Sequence, residues 1–336
     1  MRNRTRAPAR TKRRALLLAG GAWIAVAATR SFAQSPKAVR RIAVLLPGTH
    51  AGYRSRIDAF HAELKRLGYV EGSDISIEQR WANDRTETLE SLAAEIVSHN
   101  PAVILTGTSA GIAACKKATS TIPIVFASGA SPVEHGFVSS LRRPGGNITG
   151  VLTHTELAAK MVEVAREALP QAQRLAILVH DSDPGHKSML ELIVQSAQRF
   201  KFDPVVVRVA RAEEIDRAFN EIADRKADAL YLPPLVFSIS HRKRFIDRSL
   251  EARLPLLSTH HDTTVAGGLL SYGNWREENF RRAAALVDKI LRGAKPGELP
   301  VERPERLDFV VNMKTAKAIG VSLSPAIMLR ADRVIE

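Results

Sequence analysis

One stretch of this sequence occurs twice in related form. Residues 41–69, RIAVLLPGTHAGYRSRIDAFHAELKRLGY, align without a gap with residues 174–202, RLAILVHDSDPGHKSMLELIVQSAQRFKF. The apolar positions agree nearly throughout, and Gly52 and Ser55 have identical counterparts in the second copy. Each copy is a strand-like apolar run followed by a helix-like stretch. The repeat therefore predicts two similar lobes that each begin with one βα unit.

Strand-like and helix-like segments alternate along the rest of the chain. The expected strands are 42–46, 75–79, 103–106, 124–127, a run starting at 175, 229–232, 255–258 and 267–273, and the clearest helices are 53–67, about 87–98 and 280–291. A helix after each strand is typical of parallel βαβ units. The expected fold class is therefore α/β, with two similar doubly wound parallel-sheet lobes joined by hinge crossovers.

The segment PGGN at residues 144–147 is a dense turn signal between the two halves. It suits a crossover from one lobe to the other. We expect lobe 1 to contain residues 40–150 plus about 263–300, and lobe 2 to contain residues 151–262 plus about 301–336. The hinges are then expected near Gly150, Asp262 and Val301.

Residues 1–33 are predicted to be an export signal peptide. A basic segment at 2–14 precedes an apolar stretch at 15–28 and the small-x-small sequence Ser31-Phe32-Ala33. The apolar stretch is too short for a comfortable bilayer span, although an uncleaved membrane anchor is the alternative. No cysteine stands at the cleavage site, so the sequence predicts a free periplasmic protein, with the Sec or Tat export route left open.

The charge of the chain does not indicate nucleic-acid binding. The formal net charge is +14, but residues 1–34 hold eight of the 49 Lys and Arg residues and no acidic residue, which leaves 41 basic against 35 acidic side chains. That remainder is dispersed rather than gathered in a basic stripe. The single cysteine, Cys115, lies in an apolar pattern and is expected to be a buried packing residue.

The sequence GTSAG, from Gly107 to Gly111, permits two interpretations. A G-x-S-x-G turn between a strand and a helix is the nucleophile elbow of serine hydrolases, with Ser109 as the nucleophile. The same turn presents free N–H groups at a helix N-terminus, which bind a carboxylate without reaction. No HGGG-type oxyanion motif precedes the turn. A carboxylate-binding turn is favoured, and a secreted serine esterase is the alternative.

Other chemistries have weaker support. The first βα turn lacks G-x-G-x-x-G, and the chain has no P-loop. The adjacent residues His260, His261 and Asp262 lack the spacing of a metal site. We therefore expect no cofactor and no metal.

In open parallel sheets, ligands bind beyond the carboxyl ends of the strands, and two lobes facing one another form a cleft that closes on a small molecule. Residues that follow the predicted strands are therefore candidates for ligand binding. The first lobe supplies Thr49, Thr108, Ser109, Ser128 and Ser131, and the second supplies Asp181, Phe237 and Asp262. Tyr53 lies near the end of the first strand. Ordinary turn and N-cap chemistry is the alternative for each.

Several longer stretches resemble one family. They include LKRLGYVEGSDISIEQRWA, STIPIVFASGASPVEHGFVSSLRRPGGNITGV, KADALYLPPLVFSISHRKRF, GGLLSYG, VDKILRGAKPGELPVERP and NMKTAKAIGVSLSP, and the resemblance extends from about residue 40 to 334. In these stretches the chain resembles the extracytoplasmic substrate-binding proteins of ABC transporters often labelled as tryptophan/tyrosine uptake systems. The resemblance implies a type I periplasmic-binding fold and a receptor without enzymatic activity.

The resemblance also assigns roles to the candidates. It implies that Thr108 and Ser109 hold the ligand, that Thr49 and Tyr53 line the first turn, and that Asp181 faces them from the other lobe. Ser131 stands where the family often has an acidic residue, and an α-ammonium group needs a carboxylate partner. Whether the ligand carries an amine therefore stays open.

The sequence thus predicts a periplasmic receptor for a small carboxylate-bearing solute, an amino acid or a related compound. The expected mechanism is closure of the lobes on the solute, followed by delivery to an ABC permease. A receptor that serves a sensor or another transporter is a further possibility. A monomer is expected.

Overall fold

The computed structural model describes residues 39–154, 156–180 and 186–336. The predicted signal peptide and the candidate residue Asp181 lie outside these ranges. No helix within them is long and apolar enough to cross a membrane.

The first lobe is built on a five-stranded sheet with the order β2-β1-β3-β4-β5. Its strands and helices are β1 Arg40–Leu46, α1 His50–Arg66, β2 Ile75–Trp81, α2 Leu89–Ser98, β3 Val103–Thr106, α3 Ser109–Ala118, β4 Ile124–Gly129 and β5 Ile148–Leu152. All neighbouring strands are parallel. Alternate residues of β1 enter two apolar clusters, one with α1 and the other with α2 and α3. The sheet therefore has helices on both faces, as a doubly wound fold requires.

The second lobe is built on a seven-stranded sheet with the order β12-β11-β10-β9-β8-β6-β7. Its elements are α4 Leu157–Ala168, β6 Arg174–Val179, α5 His186–Arg199, β7 Asp203–Arg208, α6 Ile215–Asp224, β8 Ala229–Leu232, α7 Val236–Ser240, α8 Arg242–Glu251, β9 Leu256–Ser258, α9 His261–Val265, β10 Leu270–Gly273, β11 Asp308–Asn312, α11 Met313–Ile319, α12 Pro325–Arg330 and β12 Arg333–Ile335. Only the pair β10–β11 is antiparallel.

The repeat found in the sequence corresponds to equivalent positions in the two sheets. Strand β1 lies between β2 and β3, and β6 lies between β7 and β8, with parallel pairing on both sides. Each strand is followed by a helix, α1 or α5. The predicted α/β class with two similar lobes is confirmed.

Within the described residues the chain passes between the lobes three times. It leaves the first sheet after β5 and returns after β10, at residues 274–275. Helix α10, Arg276–Leu291, then packs on α1 and on β3, β4 and β5 of the first lobe. Glu302 pairs with the backbone of β5 before the chain enters β11.

The expected boundaries near Gly150 and Val301 stay predictions, and the one near Asp262 is corrected. Residues 263–273 were expected in lobe 1, with a hinge near Asp262, but β10 pairs with β9 and β11 in the second sheet. An apolar run predicts a strand without identifying the sheet that it joins, so the sequence placed this crossing too early.

Candidate functional site

The carboxyl ends of the strands in the two lobes meet at a common interface. The N-terminus of α1, in the first lobe, lies against α7 of the second lobe. The hydroxyl of Ser240 on α7 donates to Oδ1 of Asp84 at 2.6 Å and accepts from the backbone N–H of Thr49 at 3.4 Å. His241 Nε2 lies 3.3 Å from Oδ2 of the same carboxylate. The interface of the two lobes is therefore polar and closely joined at this edge.

Gly52 allows the two lobes to approach this closely. A Cβ atom at Gly52 would lie 3.0 Å from the Cα of Ser240 and 3.3 Å from the carbonyl oxygen of Ile239. Gly52 also donates its backbone N–H to the Thr49 hydroxyl, which caps the start of α1. The glycine thus permits backbone of one lobe to contact a helix of the other.

A buried ion pair joins the lobes next to this contact. The guanidinium of Arg56, on α1, lies 3.2 Å from Oδ2 of Asp262, on α9, and Arg56 is only 3% exposed. Arg242 on α8 binds the same carboxylate oxygen. Although burial alone would raise the pKa of Asp262, the charges of Arg56 and Arg242 hold it well below its usual range. Asp262 is therefore ionised and shared between two cations.

Arg276 lies at the start of α10, where the chain returns to the first lobe. The residue is 6% exposed, and its guanidinium donates to the hydroxyl of Thr153 at 3.0 Å. Thr153 is in turn 2.5 Å from the hydroxyl of Ser128. Among the described residues, no carboxylate forms an ion pair with Arg276. Burial and the charge of Arg56 lower the pKa of Arg276 to about 10, so it is still cationic at neutral pH.

Aromatic residues enclose this group of charges on the side of the first lobe. Tyr53 is 2% exposed, and its ring lies 6.1 Å from Trp81 and 6.3 Å from Phe280 between centroids. The Arg56 guanidinium stacks over Tyr53 at 4.9 Å from the ring centroid. Burial raises the pKa of the Tyr53 phenol, which therefore stays protonated.

Several polar atoms in this region are buried without a hydrogen-bond partner among the described residues. They include Nε of Arg56, Oδ1 of Asp262 and Oγ1 of Thr259. A buried polar atom left unpaired costs free energy, and such atoms in native proteins commonly mark a place where a ligand or water supplies the partner. The region has both unused donors and unused acceptors.

The two adjacent histidines have different roles. His261 contacts the hydroxyl of Ser271 at 2.8 Å and the carbonyl oxygen of Gly273 at 2.7 Å, so its ring is fixed by the second sheet. His260 is 4% exposed, and burial together with the charges of Arg276 and Arg56 lowers its pKa well below the usual value. It is therefore neutral. No group of three or more potential metal ligands is found in residues 39–154, 156–180 and 186–336.

Seven of the predicted candidates divide into three groups. Tyr53 and Asp262 lie in the buried charge cluster, and Ser128 lies beside it through Thr153. Thr49 and Thr108 are N-cap residues whose hydroxyls accept backbone N–H groups of their own helices. Ser109 is the first residue of α3, and Ser131 belongs to the turn that follows β4.

Phe237 is mainly enclosed by its own lobe. It is 3% exposed, stacks on His180 at 4.6 Å and packs in the apolar cluster of the second lobe.

Ser131 has a left-handed backbone with φ of 41°. Its carbonyl oxygen accepts from the backbone N–H of His135. These contacts describe the surroundings of both residues and leave their predicted binding roles untested.

The glycines of GTSAG have a packing explanation. A Cβ atom at Gly107 would lie 2.5 Å from Cδ2 of Leu46, and one at Gly111 would lie 2.2 Å from Oγ1 of Thr106. The hydroxyl of Ser109 lies 3.4 Å from both the N and the O of Ala130. The turn therefore needs two glycines because neighbouring strands pass close to it, whatever residue stands between them.

Three residues of the cluster were not among the predicted candidates: Arg56, Arg242 and Arg276. For two of them the sequence contained a usable signal. Arg56 falls on the apolar face of α1 with Tyr53 and Phe60, and Arg276 falls on the buried face of α10 with Phe280. A cation at a core position of an amphipathic helix requires a partner, and for that reason it indicates a site.

Two doubly wound lobes that meet at a polar interface, where some buried polar atoms lack hydrogen-bond partners, are typical of proteins that enclose a small molecule between their lobes. The model of the family "ABC transporter substrate binding protein" matches residues 41–335, and the chain belongs to this family. The resemblance seen in the sequence is thereby confirmed. The chain is a solute-binding protein and not an enzyme, so the esterase alternative for GTSAG is wrong.

Individual proteins are similar to this chain in sequence or in fold. The chain is 25% identical over 262 residues to a tyrosine-binding protein of Clostridioides difficile, covering 78% of this chain and 75% of the relative. A conserved domain protein from Vibrio cholerae superposes with a TM-score of 0.79 at 25% identity, over 88% of this chain and 99% of that one. A domain from Streptococcus pneumonia in complex with L-Trp superposes with a TM-score of 0.78 at 20% identity, over 88% and 100%. Proteins of this family typically work outside the cytoplasm.

Proposed function

We propose that this protein captures a small carboxylate-bearing solute between its two lobes and delivers it to an ABC permease. The observation that carries the proposal is Arg276, a buried guanidinium at the lobe interface without a carboxylate partner among the described residues. A buried cation is costly unless an anion pairs with it. A carboxylate of the solute supplies that anion and accepts two parallel N–H bonds from one guanidinium.

The residues around Arg276 suit the same role. The hydroxyl of Thr153 accepts a hydrogen bond from the Arg276 guanidinium, and the hydroxyl of Ser128 is hydrogen-bonded to that of Thr153. Ser128 lies at the carboxyl end of β4 and Thr153 follows β5, at the edge where open parallel sheets bind ligands. The predicted candidate Ser128 is thus proposed to position Arg276, while Tyr53 and Asp262 border the solute.

Closure of the lobes is the proposed mechanism. The contacts Arg56–Asp262 and Asp84–Ser240 cross the interface, so they form only when the lobes come together. A solute that bridges the lobes lowers the free energy of the closed form alone and shifts the population toward it. The permease then distinguishes the closed receptor from the open one.

The proposed setting is the periplasm, with residues 1–33 acting as a cleavable export signal and the mature chain acting as a monomer. Support comes from the basic, apolar and small-residue order of the leader and from the family. Loss of the gene should abolish uptake of the bound solute by the native cell. Normal uptake in its absence would reject the transport role.

Solute binding is tested on residues 34–336, unfolded and refolded to remove bound molecules. Thermal unfolding is followed with small carboxylic acids, amino acids and the alcohols that match them. A solute at about a hundredfold over its Kd stabilises the fold by about 2.7 kcal/mol, which shifts the midpoint by several degrees. We expect carboxylates to stabilise the chain and the matching alcohols to have no effect.

The variant Arg276→Gln identifies the residue responsible. Loss of a charge-assisted contact should raise the Kd of the carboxylate by about 10- to 150-fold. The matched control is Arg281→Gln on the same helix, because that guanidinium is largely exposed and far less constrained. Stabilisation by uncharged solutes only, or equal Kd values for both variants, would reject the proposal.

A further inference from the structure

The carboxylates that the described residues bring to the lobe interface already have partners. Oδ2 of Asp262 binds the guanidiniums of Arg56 and Arg242. Asp84 accepts from Ser240 with one oxygen and contacts His241 with the other. An α-ammonium group of a solute needs a carboxylate of its own. Neither the Asp262 nor the Asp84 carboxylate can bind an ammonium group of the solute without loss of an existing contact.

The free oxygen of Asp262 does not change this conclusion. Oδ1 is buried without a hydrogen-bond partner, but two guanidiniums already outweigh the single charge of the carboxylate. A further cation at Oδ1 would face Arg56 and Arg242 at short range, where repulsion in a poorly solvated site is strong. A neutral donor, such as a hydroxyl or amide N–H, satisfies the same oxygen without that repulsion.

Two groups inside the site report its electrostatic potential. The imidazolium form of His260 is disfavoured by burial and by the charges of Arg276 and Arg56. The guanidinium of Arg276 is itself made less basic by burial and by Arg56. In both groups burial lowers the pKa most, and the charges of the neighbouring arginines add to it against the opposing charge of Asp262. An ammonium group placed there would meet the same repulsion.

Glu277 follows Arg276 in the sequence and is half-buried. Its charge acts on Arg276 more weakly than those of Arg56, Asp262 and Tyr53. No ion pair between Glu277 and Arg276 is present in the described residues. Glu277 therefore moderates the positive potential and does not remove the need for an anion.

From these contacts we infer that the solute is an amine-free carboxylic acid, and that the receptor discriminates against zwitterionic amino acids. The inference rests on the proposed function and specifies its substrate class. The carboxylate binds Arg276 and the neighbouring Arg56, and a neutral donor meets Asp262. The positive potential that attracts the carboxylate is also what excludes the ammonium group.

Matched pairs of solutes test the inference, since the members of a pair differ only in the α-ammonium group. Suitable pairs are 3-phenylpropanoate with L-phenylalanine, 3-(4-hydroxyphenyl)propanoate with L-tyrosine, and 4-methylpentanoate with L-leucine. Kd is measured by calorimetry on refolded residues 34–336. We expect the amine-free member of each binding pair to bind at least tenfold more tightly. Equal or tighter binding of the amino acid would overturn the inference.

A variant connects the discrimination to the cluster. In Arg276→Gln the amine-free acid should lose more affinity than the amino acid. The Kd of the amino acid divided by the Kd of the amine-free acid should therefore decrease. In the control Arg281→Gln the ratio should stay as in the unmodified chain. An unchanged ratio in Arg276→Gln would reject the role of this cluster. If no carboxylate of either kind binds the unmodified chain, the proposed function itself fails, which is a different result from binding with the opposite preference.

Discussion

Arg56 of the first lobe and Asp262 of the second lie 3.2 Å apart, and both are largely buried. Because the two residues belong to different lobes, the ion pair exists only in the closed arrangement. Breaking a buried pair by removal of one partner typically costs about 3–5 kcal/mol, since the other charge stays uncompensated. Opening of the lobes relieves that cost by returning Arg56 to water.

The first prediction concerns this pair. Asp262→Asn should make the unliganded protein open, since its closed form would hold Arg56, Arg242 and Arg276 without the Asp262 carboxylate. Small-angle scattering should record a larger radius of gyration than in the unmodified chain. Arg242→Gln, which keeps the contact between Arg56 and Asp262, should stay closer to the original profile. Identical profiles for Asp262→Asn and the unmodified chain would contradict the role of this pair.

The second prediction concerns the close contact at Gly52. Gly52→Ala places a methyl group about 3.0 Å from the Cα of Ser240, so the lobes must separate slightly. Overpacking of this kind costs about 1–3 kcal/mol, which corresponds to a roughly 5- to 150-fold rise in Kd for the solute.

The stability of the Gly52→Ala variant should not fall in parallel, because alanine is favoured over glycine in a helix by about 0.5–1 kcal/mol. Gly146→Ala is the control, since a methyl group there meets open space. Calorimetric titration with the solute measures the effect. A Kd for Gly52→Ala equal to that of Gly146→Ala would show that this contact does not limit closure.

The sequence predicted the parts of the fold that depend on local periodicity. Strand β8 has the bounds that were expected, and the repeated βα unit has the expected equivalent positions in both sheets. The return of the chain to the first lobe after β10 was misplaced, because the pairing of Leu270 with Leu257 and Val311 is decided by distant segments. Local patterns contain no information on that choice.

The site was predicted less completely than the fold. Tyr53 and Asp262 lie in the buried charge cluster because residues near the carboxyl ends of parallel strands gather at one edge. Their roles in binding stay predictions. Arg276 was missed because its importance depends on Thr153 and Arg56, which lie 123 and 220 positions away along the chain. Ser109 was predicted from the G-x-S-x-G motif, whereas the positions of Gly107 and Gly111 are explained by contacts with Leu46 and Thr106.

The third prediction tests the packing explanation for the glycines of GTSAG. Gly111→Ala should destabilise the chain by about 1–3 kcal/mol, since its Cβ would lie 2.2 Å from the Thr106 hydroxyl, which donates to Leu45 inside the sheet. Ser109→Ala should change the unfolding free energy by no more than about 0.5 kcal/mol. Urea unfolding measures both values. A larger loss in Ser109→Ala than in Gly111→Ala would reject the packing explanation.

The last prediction concerns pH and the buried imidazole of His260. Folding lowers the pKa of His260, so below its ordinary value of about 6.5 the unfolded chain binds a proton more readily than the folded chain. The free energy of unfolding should therefore decrease as the pH falls below about 6.5, with a slope from this residue of at most about 1.4 kcal/mol per pH unit.

His260→Gln removes that contribution, so its stability should depend less steeply on pH between 6.5 and 5 than that of the unmodified chain. His135→Gln is the control, because it is the same substitution at an exposed position. Denaturant titrations at several pH values give the three slopes. Equal slopes for His260→Gln and His135→Gln would contradict this prediction, since burial and the charges of Arg276 and Arg56 would then not act on the imidazole of His260.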